Sequence, residues 1–421
     1  MTDWIKYKLD EVAIDIAMGP FGSNLKADNF ISSGVPVIRG GNLNYGGFED
    51  KNFVFVSEKK ALSLKRSLAY PDDLVFTHRG TIGQVGIIPH NKHPYYLVSQ
   101  SQMRLTVEKS LLLPIYLYYW FKSATGQYEL LKNSAQVGVP SIASPTKSLK
   151  EIDITLPPLT TQTAIAEILS SLDDKIELNN QINRELEALA QALFKQWFVD
   201  FEFPDAEGVP YQSSGGEMVE SALGEIPLGW RVGTLSEFIK ITGGGTPKRS
   251  NEEYWNGNIP WFSIQDAPNE SQIIVVDTLE KISELGLNNS STKLLQKGTT
   301  IITARGTVGK LAFVGEPMAM NQSCYGINGI GPYFNYFILK EAVTKLRQNT
   351  HGAVFDTITT STFATIRIAY PGNNLALKFD GLVKEKFEYI EANVKENISL
   401  TTLRDTLLPK LISGEVQVSE L

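Results

Sequence analysis

A chain of 421 residues, 42% hydrophobic and 20% charged, is ordinary globular material, long enough for two or three domains. Its net charge of −7 argues against a free-standing, sequence-blind nucleic-acid binder, which is basic overall, but leaves room for local basic clefts. The single cysteine, Cys324, excludes an internal disulfide, the start MTDWIKYKLDEV is charged where a secretory signal is apolar, and the longest apolar run, Leu111 to Phe121, is broken by Pro114 and far too short to span a bilayer; a cytoplasmic protein with no membrane partner is expected.

Residues 1–155 read as a mixed domain of short strands and turns. Val35 to Ile38, Leu74 to Thr77, Gly86 to Ile88 and Ile152 to Ile154 are apolar or alternating segments bounded by Gly, Pro, Asn and Asp, and a helix is expected from Ile115 to Phe121, after Pro114.

Residues 156–203 follow as one long helix. Pro157 and Pro158 stop the preceding strand, Thr160 or Thr161 can cap, and no Pro or Gly interrupts until Pro204. Leu172, Asn179, Leu186 and Leu193 fall seven apart with Ile182 and Leu189 between them, an apolar seam along one face. A helix of about 38 residues is roughly 57 Å long and, with one seam, needs a partner. Residues 204–225, rich in Gly, Ser, Glu and Pro, read as a linker over the surface.

The next region, 226–372, runs through the stations of the first. VPVIRGGN at Val35 corresponds to IPWFSIQD at Ile259, THRGTIG at Thr77 to TARGTVG at Thr303, Gln100-Ser101 to Gln322-Ser323, and IDITLPP at Ile152 to IRIAYPG at Ile366. The offsets drift by a few residues, as loop insertions between duplicated domains produce. Residues 373–421 then repeat the helix: adding 214 carries Ile176 onto Ile390, Asn179 onto Asn393, Leu186 onto Leu400, Leu189 onto Leu403 and Leu193 onto Leu407, and Gly414 is the expected stop. The fold expected is α+β: two duplicated mixed α/β domains separated by two long antiparallel coiled-coil helices, pseudo-two-fold symmetric. Such an object grips two sites on one long ligand, and tens of ångströms is one to two turns of duplex DNA.

Catalytic signatures are missing. Gly306-Thr307-Val308-Gly309-Lys310 lacks the first glycine and the final Ser or Thr of a phosphate loop, and Gly243-Gly244-Gly245 lacks dinucleotide-binding spacing. Leu156-Pro157-Pro158-Leu159 has neither the amide nor the aromatic ring that would hold a flipped base. Neither Pro71-Asp72 nor Pro204-Asp205 is followed by the acidic-x-Lys pair of a nuclease, and His78, His90, His93 and His351 show no metal-ligand pattern. A binding module, with no catalytic residue, metal or cofactor of its own, is the expectation.

Polar and basic side chains in glycine-rich loops remain. Lys26, Arg39, Asn42, Thr77, His78, Arg79 and Thr81 form the first set; Thr246, Lys248, Arg249, Ser263, Gln265, Asp266, Thr303, Arg305, Thr307 and Lys310 form the second. Arg, Asn and Gln read base edges through paired hydrogen bonds, whereas Lys, Ser and Thr more often position phosphates. Tyr45, Tyr254 and Trp255 are candidates to pack on sugars or bases. The bland alternative is that each RGT turn is merely tight and its arginine pairs with an acid.

Three stretches together, GGGTPKRSNEEYWNGNIPW from Gly243, the two RGT turns, and LPPLTTQTAIAEILSSLDDKIELNNQINRELEALAQALFKQWF from Leu156, resemble the specificity subunit of type I restriction-modification enzymes over essentially the whole chain. The resemblance implies two target recognition domains, each reading half of a split double-stranded DNA site in the major groove, with the two helices as a ruler. It also implies that methylation and cleavage belong to other polypeptides: two modification subunits carrying S-adenosylmethionine, and restriction subunits. One departure is that GPFGSNLKADNF at Gly19 stands where the second half has its Gly-Thr-Pro and Tyr-Trp form, so the two loops are expected to differ in conformation and the target to be asymmetric.

Overall fold

The computed structural model describes residues 3–44, 47–90, 92–135, 138–268, 272–349 (the backbone alone for 347–349) and 357–418; Tyr45 and His351 lie outside them. The chain forms two compact units, residues 1–174 with 401–421, and residues 175–400.

In the first unit, Ala13–Met18, Gln102–Val107, Leu74–Thr77 and Val85–Ile87 pair antiparallel in that order. A second sheet orders Val54–Val56, Val35–Ile38, Tyr96–Val98 and Leu68–Ala69, with Val35–Ile38 and Tyr96–Val98 parallel. VPVI and LVFT are buried at every position, which is why they read as continuous apolar runs rather than alternating ones. The helix Pro114–Lys122 packs its aromatic face on the first of these sheets, with Phe121 edge-on to Phe76 at 4.9 Å.

The second unit repeats the plan. Lys240–Gly243, Cys324–Asn328, Thr300–Thr303 and Leu311–Val314 reproduce the antiparallel order, with Ile274–Val275 added at the edge; Lys281–Ile282, Trp255–Phe262 and Ala319–Met320 form the companion sheet, its last two strands parallel. Registers correspond as well: Val37 lies beside Leu97 in one unit and Trp261 beside Ala319 in the other. In each unit a two-stranded ribbon, Ile5–Lys8 with Asp153–Leu156 or Arg231–Thr234 with Arg367–Tyr370, feeds directly into a long helix. The duplication in the sequence is thus a duplication of topology.

The long helices are α1, Leu159–Phe198, and α2, Asn373–Ser413, of 40 and 41 residues. α1 begins before either proposed threonine cap, and its start is secured from the side: buried Gln162 donates to the Leu111 and Pro157 carbonyls and accepts from Leu113 N–H. α2 ends where Gly414 adopts φ 72°, a left-handed stop that glycine takes without strain.

Within the second unit the helices run antiparallel. Asn179 Nδ2 donates to Asn397 Oδ1 at 2.9 Å and Asn393 Nδ2 donates to Asn183 Oδ1 at 2.8 Å. The offset of 214 carries the first bond onto the second, so the four buried asparagines obey a local pseudo-two-fold. Below them Phe194, Trp197, Phe334, Phe337, Phe379 and Phe387 build an aromatic core; removing one such ring leaves a cavity costing about 3–5 kcal/mol. Within the first unit, Asp173 of α1 accepts from Arg404 of α2 at 2.6 Å and from the Tyr119 hydroxyl at 2.8 Å, tying both helices to the sheet domain.

The inward face of α1 is not the leucine heptad. Asn179, Asn183, Ala190, Phe194 and Trp197 are buried, as are Ile390 and Asn393 of α2, while Leu172, Ile182, Leu186, Leu193, Leu400 and Leu407 are half-buried flanks. Leu189 and Leu403, expected in the seam, are 55% and 48% exposed. Ala190 occupies the inward position beside Leu189, so a 3.6-residue repeat turns the leucine outward. The segment 204–225 is more than a linker: Phe203 stacks on Tyr211 and Trp230, and Met218–Ser221 pairs with Gly224–Pro227 as a hairpin.

Candidate nucleic-acid interface

Each RGT motif is a turn closing a central strand. Gly80 and Gly83 take φ 92° and 91°, Gly306 and Gly309 take φ 74° and 78°, conformations costly for any residue with a Cβ. Thr77 N–H donates to the Gln84 carbonyl and Thr303 N–H to that of Lys310, closing equivalent loops. The following residue is pinned on both sides. His78 N–H donates to Ser101 O and His78 O accepts from Ile142 N–H; Ala304 makes the same pair with Ser323 and Ile358. The Gln-Ser pairs noted in the sequence are therefore docking points for the turns.

These turns spend their small polar groups internally. Thr77 donates its hydroxyl to Gln84 Oε1, and buried Thr303 donates to the Thr307 carbonyl. His78 is 7% exposed and hydrogen-bonds the Gln100 carbonyl through Nε2 at 3.0 Å; burial pushes its pKa below the usual histidine value. What the turns present outward is Arg79 with Thr81, and Arg305 with Thr307, while Lys310 is half-buried. Neither arginine has an acidic partner among the described residues.

In the first unit Arg79 borders a groove of about 1250 Å³ whose walls include Ile14, Phe21, Asn24, Lys65, Arg66, His78, Gln100 and Lys150, with Asp10 and Asp15. The carboxylates are neutralised from within the fold: Asp10 pairs with Lys150 at 2.9 Å and Asp15 with Arg104 at 2.6 Å. Lys65, Arg66 and Arg79 are left without ion-pair partners among the described residues, so the groove is locally cationic in an acidic chain.

In the second unit Arg249 lies 3.8 Å over the Trp255 ring and forms a bidentate pair with Glu280, whose carboxyl it holds below the usual range. It buttresses a smaller pocket of about 400 Å³ lined by Asn256, Gly257, Leu279 and Lys281.

A family model described as the type I restriction modification DNA specificity domain matches residues 1–188 and 227–374, most of the chain and both copies of the repeat. The chain belongs to this family. It is a type I restriction-modification specificity subunit, similar to the HindI specificity subunit of Haemophilus influenzae (28% identity, covering 99% of this chain and 100% of that one) and to the MjaIX specificity subunit of Methanocaldococcus jannaschii (28% identity, covering 87% and 82%). The S subunit of a type I restriction-modification system from M. genitalium shares the fold, with a TM-score of 0.58 at 18% identity over 97% of this chain and 96% of that one.

The remaining candidates of the specificity subunit divide by position. Lys26, Arg39, Lys248 and Gln265 are exposed. Asn42 is 3% exposed: it accepts from Arg39 N–H and donates to the Glu49 and Lys51 carbonyls. Ser263 and Asp266 form the equivalent turn, Asp266 accepting from the Ser263 N–H and hydroxyl and from Leu279 N–H. Thr246 donates to Gln322. Asn42, Thr77, His78, Asp266 and Thr303 thus shape loops, their hydrogen-bonding groups already taken. Trp255 is covered by Arg249 and packs edge-on to Trp261 at 5.1 Å, while Tyr254 lends backbone to Ser283 N–H.

Sequence reasoning missed Phe21, Lys65 and Arg66. Lys65 and Arg66 sit on a short 3-10 turn far along the chain from the RGT motif, where no spacing marks them. Phe21 did carry a local signal, a large apolar residue held between Pro20 and Gly22.

The two loops that differ in sequence share one anchor. A Cβ at Gly19 would meet the Ser99 carbonyl oxygen at 1.8 Å, and one at Gly244 would meet that of Asn321 at 1.9 Å. Beyond these points Pro20-Phe21-Gly22 and Gly245-Thr246-Pro247 diverge. Among the described residues no helix is long and apolar enough to cross a membrane.

Proposed function

We propose that this specificity subunit binds double-stranded DNA in a bipartite site, each unit reading one half through the major groove, and that its paired helices set the gap between the halves. The observation that carries this reading is the pair of equivalent arginines, Arg79 and Arg305, raised on rigid glycine turns and without an acidic partner among the described residues. A guanidinium held this way suits the bidentate contact to guanine or a phosphate clamp. The cations Lys65 and Arg66 supply the charge that draws phosphates into the first groove.

Two modification subunits supply the methyl transfer and bind S-adenosylmethionine; restriction subunits supply cleavage; this chain contributes recognition, not chemistry, and works in the cytoplasm. Leu189 and Leu403, exposed at equivalent positions of the two helix copies, suit one docking contact for each of two identical partners.

The test is to co-express the chain with its modification subunit and map adenine methylation across a genome. A split motif is expected, with one half altered when the loops of one unit are exchanged and the other half when those of the second are. A single continuous motif, or none, would sink the two-reader account.

A further inference from the structure

Phe21 is 84% exposed, and Ile14, on the same groove, is 62% exposed. A phenyl ring left in water forgoes stabilisation that a covering partner would supply. The loop is built to hold it there. Gly19 is seated against the Ser99 carbonyl, Gly22 lies close under Gln100, and Phe21 opens the short turn Gly22–Asn24 with extended backbone. The groove around the ring carries Lys65, Arg66 and Arg79 uncompensated, so its occupant is polyanionic. Phe21 has no group with which to hydrogen-bond a phosphate or a base edge. On an unkinked duplex the base faces are hidden by stacking, and the apolar group that remains on the major-groove edge is the thymine C5-methyl.

We propose that Phe21 reads a thymine methyl group in the half-site bound by the first unit, an assignment that rests on the DNA-binding reading above. The ring packs on the methyl while the cations engage flanking phosphates, so the contact selects T over C at one position and is blind to hydrogen-bond pattern.

The experiment uses the full chain with its modification subunits and a duplex carrying the mapped target, in which each thymine of that half-site is replaced singly by deoxyuridine, which lacks the methyl. One replacement is expected to weaken wild-type binding about five-fold. Phe21→Ala is expected to bind the thymine and uracil duplexes equally, at the weaker affinity, and Phe21→Leu to keep part of the preference. A Phe21→Ala complex that still prefers thymine, or a half-site in which no replacement matters while the target is bound selectively, overturns the inference and leaves the DNA reading intact. Loss of the modification subunits from Phe21→Ala, with methyl discrimination unchanged, also overturns it, making Phe21 a protein contact. Absence of sequence-selective binding in the wild type removes the DNA reading itself.

Discussion

Replacing Asn179 tests what the buried asparagines do. Its Nδ2 donates to Glu396 Oε2 at 2.7 Å and to Asn397 Oδ1 at 2.9 Å, and its Oδ1 accepts from Lys175 Nζ at 3.0 Å. In Asn179→Leu, exposed Glu396 and Lys175 recover water, but Asn397 Oδ1, on a residue 6% exposed, is left without its donor. That orphaned acceptor costs about 1–3 kcal/mol. Asn397→Leu removes the acceptor instead and strands Asn179, which is 0% exposed, at a similar cost of about 1–2 kcal/mol because Glu396 still engages it. The double variant removes both polar groups at once and is expected to be no less stable than either single, a coupling of about 1–2 kcal/mol. Urea denaturation followed by tryptophan fluorescence, which reports Trp197 and Trp230 in the second unit's core, measures all four corners of the cycle. A double variant as unstable as the two singles summed would refute the account, since it would mean that the asparagines do not depend on each other.

In the complex with modification subunits, Lys65→Ala, Arg66→Ala and Arg79→Ala are each expected to reduce the slope of log affinity against log salt by about 0.9, measured by fluorescence anisotropy; an unchanged slope in all three removes the groove from the DNA interface. Asp380 caps the helix Pro332–Asn349 through Phe334 N–H at 2.7 Å, and its burial lifts its pKa to about 6. Because the folded state holds this proton more tightly than the unfolded state, the second unit loses stability as pH rises from about 4 to 6, by up to about 3 kcal/mol, and Asp380→Asn is expected to abolish that decline in melts across the window. Gly244→Ala drives a Cβ into the Asn321 carbonyl and is expected to destabilise the second unit by about 3 kcal/mol, whereas Gly243→Ala, with open space around it, leaves the melting temperature nearly unchanged.

Much of this architecture was legible because it is written in periodicity and repetition. VPVI and LVFT appear in the structure at the residues read as strands, since a run buried on both faces and bounded by turn residues has few other options. The helix pair was legible from the absence of breakers and from the offset of 214. Its inward face was not: leucine count pointed to Leu189, while asparagine, alanine and glutamate take the inside, with Glu187 held by Lys340 at 2.6 Å. Polarity misled because Asn179, Asn183, Asn393 and Asn397 find partners on the other helix and Glu187 on the sheet domain, and partners far apart in sequence leave no local trace. The same limit applied at the site. The RGT turns were visible because positive φ demands glycine at fixed spacing, yet Thr77, His78 and Thr303 look identical in sequence whether they face solvent or the interior. Lys65 and Arg66 reach the groove only through the tertiary fold.

The seating of Gly19 on Ser99 and of Gly244 on Asn321 has a bearing on where the two units can differ. Both contacts are made by main chain and each fixes one small residue; in the second unit the next residue is fixed as well, since a Cβ at Gly245 would meet Ser291 Oγ at 2.2 Å and Thr292 N at 2.4 Å. Further along, the side chains of Phe21 in one unit and Lys248 in the other stand exposed, outside the strands of the sheets beneath. Each loop behaves as a bit in a chuck: the socket is common to both halves, and the tips, Phe21 in one and Lys248 in the other, differ in size, charge and chemistry.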